Sequence, residues 1–194
     1  MILSDHELRA AIVHGQLLIT PPPLDSHITS SAVDLTLGKE FRRWRDVKGG
    51  AVLTVNPSSP EFDFAALVAS YTDLIAAESD GSVVLNPGSF LLTTTKEHIE
   101  LPVTSRLAAR IEGRSTLARL GVGVHVTAPT IHAGFRGVIT LEVTHQGTLP
   151  VKLYPGVRVC QLIVEQVFGT PAAAMTGAFQ DQTSVSGSAT KTGR

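Results

Sequence analysis

The chain has 194 residues, with 16 Lys and Arg against 17 Asp and Glu, and a single cysteine, Cys160. The length fits one domain, the balanced charge excludes a global basic field for a long nucleic acid, and one cysteine excludes an internal disulfide framework and a cysteine-rich zinc site. Charged residues make up 17%, against the roughly 25% usual for soluble domains, which indicates either a face buried against other copies of the chain or a bland surface.

The first ten residues, MILSDHELRA, do not have the order of a secretory signal. Asp5 and Glu7 stand where such a signal needs basic and then apolar residues. No run of about 18 apolar residues is present, so we expect no membrane span. The unpaired Cys160 indicates a reducing compartment. We therefore expect a cytoplasmic protein.

The N-terminal segment predicts a short helix followed by a strand. Ser4 and Glu7 have the spacing of a capping box, in which Ser4 accepts from the backbone of Glu7, and Gly15 ends the helix. Residues 33–41 alternate apolar and polar side chains, which predicts a strand. The apolar stripe of the helix consists of Leu8, Ala11 and Ile12.

Residues 45–88 have a weaker pattern, with a predicted strand at 51–55 and a predicted helix within 61–77. The apolar residues predicted to share one face of this helix are Phe64, Leu67, Val68, Leu74 and Ile75.

From residue 82 the pattern becomes that of an all-β protein. Short alternating runs follow each other without intervening helices, which favours a sandwich, jelly roll or barrel. Residues 115–120 are the exception, because they read as a helical turn closed by Gly121. Apolar periodicity is lost from residue 169, so we predict one β domain over 1–168 and a flexible tail over 169–194. The predicted strands are 82–85, 89–95, 106–112, 122–127, 137–144, 150–153 and 157–168.

The segment from Gly113 to Arg119 is the first candidate site. The amides at the start of its helical turn, the hydroxyls of Ser115 and Thr116 and the guanidinium of Arg114 suit an anion. Ser115 and Arg119 are four apart and project from one side of the turn. The alternative from spacing alone is a capped turn with solvated arginines.

Two further strands and one turn carry candidate residues. Glu142 lies on the polar side of 138–144; it either faces water or sits in a pocket, where partial burial would raise its pKa and suit it to proton transfer near neutral pH. Gln161 offers an amide that either reads a ligand or bonds across the sheet. His132, in a turn between strands, either faces a ligand or caps the loop. The histidine-and-cysteine pattern of zinc deaminases is absent from the sequence.

These pieces occur together in an order that resembles the dCTP deaminase branch of the dUTPase-like superfamily. The resemblance is carried by GRSTLARLGVGVHVTAPTIHAGFRGVITLEVTHQGTLPVKLYPGVRVCQL, by MILSD, SSAVDLTLGKEF and LNPGSFLLTTTKEHIELP upstream, and more loosely by AFQDQTS in the tail. It spans nearly the whole chain except about residues 45–80. The resemblance implies a mainly β fold, a distorted β-barrel or jelly roll of the β-clip type with a short N-terminal helix and few small helices.

The resemblance also implies an assembly and a reaction. The assembly is a homotrimer with active sites shared between subunits. The reaction is the hydrolytic deamination of dCTP to dUTP and ammonia, for the supply of dUMP and dTTP. Mg²⁺ enters bound to the triphosphate, and neither a protein-bound metal nor zinc takes part. The resemblance further implies dTTP as a feedback inhibitor in the same pocket. The balanced charge and the lack of a long apolar run, and not the resemblance, predict no nucleic-acid and no membrane partner.

Roles follow from the resemblance position by position. Glu142 matches the general base and acid, and Ser115 and Arg119 match the residues that position water and stabilise the tetrahedral intermediate. The tail matches a lid that closes over bound nucleotide. The residues matching substrate contacts are Arg114, Thr116, Val126, Thr127, Ala128, His132, Phe135, Gln161, Phe179 and Gln182.

Three positions depart from the family pattern. His132 stands where many relatives have Asp, Thr130 where some deaminases have Arg, and Ala178 where a Lys is common; an upstream Tyr is also missing. His132 argues against efficient dUTP hydrolysis, and the tail changes remove contacts to phosphate. Three hypotheses remain: a deaminase that stops at dUTP, an enzyme that hydrolyses dUTP alone or after deamination, and a nucleotide-binding relative without turnover.

Overall fold

The computed structural model describes residues 1–46, 54–177 and 179–187, and the fold in these residues is mainly β, as predicted. Three α-helices interrupt the strands: α1 (Asp5–Val13), α2 (Phe64–Tyr71) and α3 (Ser115–Arg119). The strands are β1 (Leu18–Thr20), β2 (Val33–Trp44), β3 (Thr72–Leu74), β4 (Val83–Leu85), β5 (Phe90–Glu100), β6 (Leu107–Gly113), β7 (Val122–Gly123), β8 (Thr130–Ile131), β9 (Arg136–His145), β10 (Val151–Leu153) and β11 (Arg158–Gln166).

Most strands join one antiparallel sheet in the order β7-β9-β5-β2-β11-β6-β8. β1 adds to β5, β3 adds to β2, and β4 pairs separately with β10. β11 therefore lies between β2 and β6, two strands that are distant from β11 in the sequence. No helix among the described residues is long and apolar enough to cross a membrane.

The alternation that predicted β9 is confirmed. Ile139, Leu141 and Val143 are buried in the main core, while Thr140 and Glu142 on the other face are half-buried. This outer face of β9 and β5 is covered by α2 and by the tail, and not by the main core. The strand thus presents Glu142 to a second, smaller layer of the molecule.

The N-terminal helix forms as predicted, but its first turn is built differently. Leu8 and Ala11 are buried, and Gly15 follows the helix at φ +66°, a conformation that favours glycine. The Ser4 hydroxyl donates to the carboxylate of Glu7 and does not accept from the Glu7 amide, so the predicted capping role of Ser4 is wrong. That hydrogen bond is the main reason why the pKa of Glu7 is lowered.

The helix predicted within 61–77 is shorter than its apolar pattern suggested. It begins after Asp63, whose side chain accepts from the Ala66 amide at 3.0 Å, and it ends at Tyr71. The chain then pairs with the edge of β2, so Leu74 and Ile75 do not lie on the helix. Of the strand predicted at 51–55, residues 51–53 lie outside the described residues, and residues 54–55 are in no strand.

The strand predictions after residue 82 hold except between β6 and β9. The run at 122–127 forms only the two residues of β7, and the short strand β8 follows where no strand was predicted. The intervening residues form an exposed loop in which the Val126 amide donates to the Glu142 carboxylate and not to a neighbouring strand. β1 and β3 were also not predicted, since three residues are too few to show a period.

The tail turns back along β9. The Asp181 amide donates to the Arg136 carbonyl at 2.7 Å, and the Val138 amide donates to the Gln182 carbonyl at 3.0 Å. Val185 is buried in a small apolar cluster with Val68 and Leu92. In this structure residues 179–187 thus lie on the same chain's sheet; the lid role stays a prediction.

Candidate active site

A cavity of about 490 Å³ opens between the outer face of β9, the loop before β8 and the tail. Its polar lining comes mainly from Glu142, Thr140 and Gln182 and from two histidines, His125 and His132. Apolar side chains make up most of the remaining lining. These apolar residues include Trp44, Phe64, Phe90 and Leu92.

Glu142 is the carboxylate of this cavity. It is half-buried on β9, opposite Leu92 of β5, and its Oε2 accepts from the Val126 amide at 3.4 Å. Of the two alternatives that the sequence left open for Glu142, the structure therefore shows the pocket. A carboxylate held by one backbone amide keeps its second oxygen available for a ligand or water.

Two predicted substrate-binding residues form the wall beside Glu142. Ala128 lines the cavity directly, and Phe135 is buried in its wall. His132 also lines the cavity and is exposed, which agrees with the alternative in which it faces a ligand. Val126 and Thr127 lie on the exposed loop that approaches Glu142. The cavity therefore combines the Glu142 carboxylate, which the Val126 amide contacts, with the Phe135 ring in its wall.

The tail closes the other side. The Phe179 ring meets the Phe64 ring edge-to-face with centroids 5.6 Å apart. Gln182 is almost fully buried, and its Nε2 donates to the Val138 carbonyl at 2.6 Å while its Oε1 accepts from the Thr140 hydroxyl at 3.4 Å. Both predicted tail residues thus line the cavity, but Gln182 bonds to its own chain's strand. Ala178 lies outside the described residues.

The remaining predicted residues lie elsewhere, around α3 and β11. Ser115, Thr116 and Arg119 are exposed, and within the part of the chain that the structure describes they do not line the Glu142 cavity. Arg114 and Gln161 instead meet at Asp34, a buried carboxylate of β2. One chain therefore brings Glu142 together with the tail and the loop before β8. The residues predicted to bind an anion, around α3 and β11, form a separate cluster in the same chain.

The loop after β9 holds α3 in place. The Gln146 amide donates to the Gly121 carbonyl at 2.8 Å, and Gly121, at φ +85°, lies against the backbone of Gly147. Buried His145 fixes this loop, because its Nε2 is 2.7 Å from the Leu149 carbonyl and its Nδ1 accepts from the Gly147 amide at 3.3 Å. The segment that follows α3 thus packs against this loop through a close contact between two glycines.

Sequence reasoning missed several residues of these two clusters. Trp44 and Phe64 fall in or beside the segment with the weakest pattern, where no strand partner was visible. His125 lines the cavity with a buried Nδ1 that has no hydrogen-bond partner among the described residues, although its sequence context showed no ligand pattern. Asp34 and Arg158 gave no signal, since their partners are distant in the chain.

Comparisons with known proteins identify the family of this chain. The profile of the dCTP deaminase-like family matches residues 2–167. The chain is 42% identical over 164 residues to the dUMP-forming dCTP deaminase of Methanosphaera stadtmanae, covering 84% of this chain and 78% of that protein. It is 38% identical over 191 residues to the dCTP deaminase of Natronomonas pharaonis, covering 94% and 91%. The chain belongs to the dCTP deaminase-like family.

A solved structure shares the fold. The dCTP deaminase of Agrobacterium tumefaciens superposes with a TM-score of 0.63 at 21% sequence identity. The match covers 84% of this chain and 47% of that chain, so this protein spans about half the length of that structure. The fold class predicted from the sequence is therefore confirmed.

Proposed function

We propose that this protein catalyses the hydrolytic deamination of dCTP. The observation that carries the proposal is Glu142, a half-buried carboxylate that accepts from the Val126 amide and lines the same cavity as Phe135. Family membership supports the proposal, as do relatives named dCTP deaminase at 37–43% identity.

The proposed chemistry assigns both proton transfers to Glu142. Its free carboxylate oxygen accepts a proton from water as the water oxygen bonds to C4 of cytosine. The same proton then passes to the C4 amine. The second water proton moves from the new hydroxyl to N3 as the C–N bond breaks, so ammonia leaves and a carbonyl replaces the amine. Donors near C4 stabilise the negative charge of the tetrahedral intermediate.

Ser115 and Arg119 supply those donors from another copy of the chain. Support comes from their exposure on α3 and from their position outside the Glu142 cavity of a single chain. An interface that joins α3 of one protomer to β9 of the next completes one site per protomer in a closed ring. We propose a homotrimer of this kind, acting in the cytoplasm.

The substrate enters as its Mg²⁺ complex, with the metal bound to the triphosphate. Arg114, Thr116 and Gln161 contact the phosphates in this proposal, Val126 to Ala128 read the base, and Phe135 packs on the sugar. The tail, with Phe179 and Gln182, closes the site. dTTP competes for the same pocket as an inhibitor.

A second candidate function continues the reaction from dUTP to dUMP. Relatives named dUMP-forming favour it. His132 disfavours it, because an imidazole at the exposed rim replaces the carboxylate that the family pattern uses to orient the attacking water. We therefore propose dUTP as the main product.

One incubation with dCTP and Mg²⁺, resolved by chromatography, separates dUTP, dUMP and unchanged substrate. We expect dUTP and ammonia. If dUMP is the main product, the second candidate function is established. If dCTP remains unchanged even at a high protein concentration, the proposed function is refuted.

Two variants test Glu142. In Glu142→Gln we expect kcat to fall about 10²–10⁴-fold, the usual contribution of a positioned general base or acid. Glu100→Gln is the matched control, because Glu100 is also a half-buried strand carboxylate but lies at the far end of β5. Equal activity of the two variants would remove Glu142 from the mechanism.

A mixing experiment tests the shared site. Glu142→Gln and Arg119→Ala chains, each inactive alone, are coexpressed. If each site takes these residues from two different chains, random assembly restores about a quarter of the sites. If both residues act within one chain, mixing restores none.

A further inference from the structure

Asp34 is a buried carboxylate that none of the roles above uses. Its side chain is 1% exposed, and it lies on β2 directly opposite Gln161 of β11. Three side chains donate to it: Arg114 and Arg158 to Oδ2, the latter at 3.0 Å, and Gln161 Nε2 to Oδ1 at 3.1 Å. One acid thus joins three groups from β11 and from the start of α3.

The charges in this cluster do not cancel. Two guanidiniums share one carboxylate, so these three charged side chains carry one net positive charge. The Arg114 and Arg158 side chains are 27% and 45% exposed, so both remain partly open to solvent. A buried acid is costly unless it is paired, and once paired it fixes the geometry of its partners.

We infer that Asp34 is a positioning residue that holds Arg114, Arg158 and Gln161 as one phosphate-binding platform. In this arrangement Arg158 becomes an additional contact to the substrate's triphosphate, beside Arg114 and Gln161. Asp34 itself faces inward and repels phosphate, so its effect passes through its three partners. The inference rests on the proposed function, because it names how the same substrate is held.

The test compares two buried carboxylates. Asp34→Asn keeps the shape of the side chain and removes its charge. Glu97→Gln is the matched control: Glu97 is 5% exposed on β5, and its carboxylate accepts from the amide and hydroxyl of Thr36, at 2.9 and 2.5 Å. Both variants lose a buried charge, but only Asp34 is bonded to arginines of the platform.

Calorimetry with inorganic tripolyphosphate and with dCTP, both with Mg²⁺, gives a binding readout that does not need turnover. We expect Asp34→Asn to weaken both ligands about tenfold or more, as expected for a misplaced charge-assisted contact, and to raise KM for dCTP with little change in kcat. Glu97→Gln should bind both ligands within about twofold of the unmodified protein. Arg158→Gln should also weaken both, and Arg158→Lys should restore part of the loss.

Several results would overturn the inference. The first is that Asp34→Asn and Glu97→Gln bind tripolyphosphate with equal affinity while urea unfolding shows that both variants are folded. If Asp34→Asn does not fold, the Arg158 pair decides, and unchanged binding by Arg158→Gln refutes the platform. An unmodified protein that binds neither ligand refutes it too. The proposed function fails and the platform stands if the unmodified protein binds both ligands without ever deaminating dCTP and the Asp34→Asn variant binds neither.

Discussion

Replacing Gly121 by alanine tests how α3 is positioned. Gly121 has φ +85°, and a Cβ added there would lie 2.7 Å from the Gly147 Cα and closer still to the Gly147 amide nitrogen. The left-handed conformation costs alanine about 1–2 kcal/mol, and forcing an extra group into a packed contact costs about 1–3 kcal/mol. We therefore expect Gly121→Ala to lower the free energy of unfolding by about 2–5 kcal/mol.

The same change should impair the reaction. An ordinary contact begins at 3.4 Å, so the two backbones must separate by about 0.7 Å to clear the Gly147 Cα and by more to clear the Gly147 amide nitrogen. This movement displaces Ser115 and Arg119, and a misplacement of about 1 Å can lower the rate of an enzyme about 10²-fold. Urea unfolding and the initial rate of ammonia release measure the two effects.

Gly81→Ala is the matched control for both measurements. Gly81 has φ +81°, but an added Cβ meets no atom within 4 Å. It should lose only about 1–2 kcal/mol and keep its activity. If Gly121→Ala and Gly81→Ala lose the same stability and the same rate, the glycine contact does not position α3.

Three further predictions concern other parts of the molecule. Hydrogen bonds from Lys152 and Ser82 lower the pKa of Asp80, so the stability that Asp80 contributes is present above the ordinary carboxyl pKa of about 4 and is lost as pH falls below it. Urea unfolding should show that Asp80→Asn is less stable than the unmodified protein at neutral pH and that the difference shrinks on acidification. A difference that grows on acidification would contradict this prediction. Burial raises the pKa of the Cys160 thiol, so a thiol reagent should label it only as the protein unfolds; equally fast labelling with and without guanidinium chloride would show that it is not buried. Phe64→Ala removes an aromatic pair worth about 0.5–1.5 kcal/mol, so chymotrypsin should cleave at Phe179 about 2- to 12-fold faster. The control Leu74→Ala, at an exposed residue, should leave the cleavage rate unchanged. Equal rates for the two variants would show that the aromatic pair does not hold the tail.

The sequence predicted those parts of the site that have a local signature. The alternation in β9 placed Glu142 on the face opposite the core, and the turn at Ser115–Arg119 closed by Gly121 formed as expected. Both features depend on neighbours in the chain, which periodicity and turn residues reveal.

The parts that depend on distant partners were not visible. β2 is buried on both faces at Val33–Gly38, so its alternation did not show that Asp34 is enclosed. Its partners Arg114 and Arg158 are far away in the chain. Likewise the helix ends at Tyr71 because the edge of β2 pairs with the next residues, and only the folded sheet supplies that edge.

The place of β11 has a consequence for how the protein is made. During synthesis from the N-terminus, β2 and β6 emerge long before β11, the strand that joins them. Until then, the edges of both strands stay open to pairing with other nascent chains. A ribosome stalled before Arg158 would therefore hold two half-sheets that cannot merge, and such fragments should be recovered as aggregates and not as smaller folded proteins.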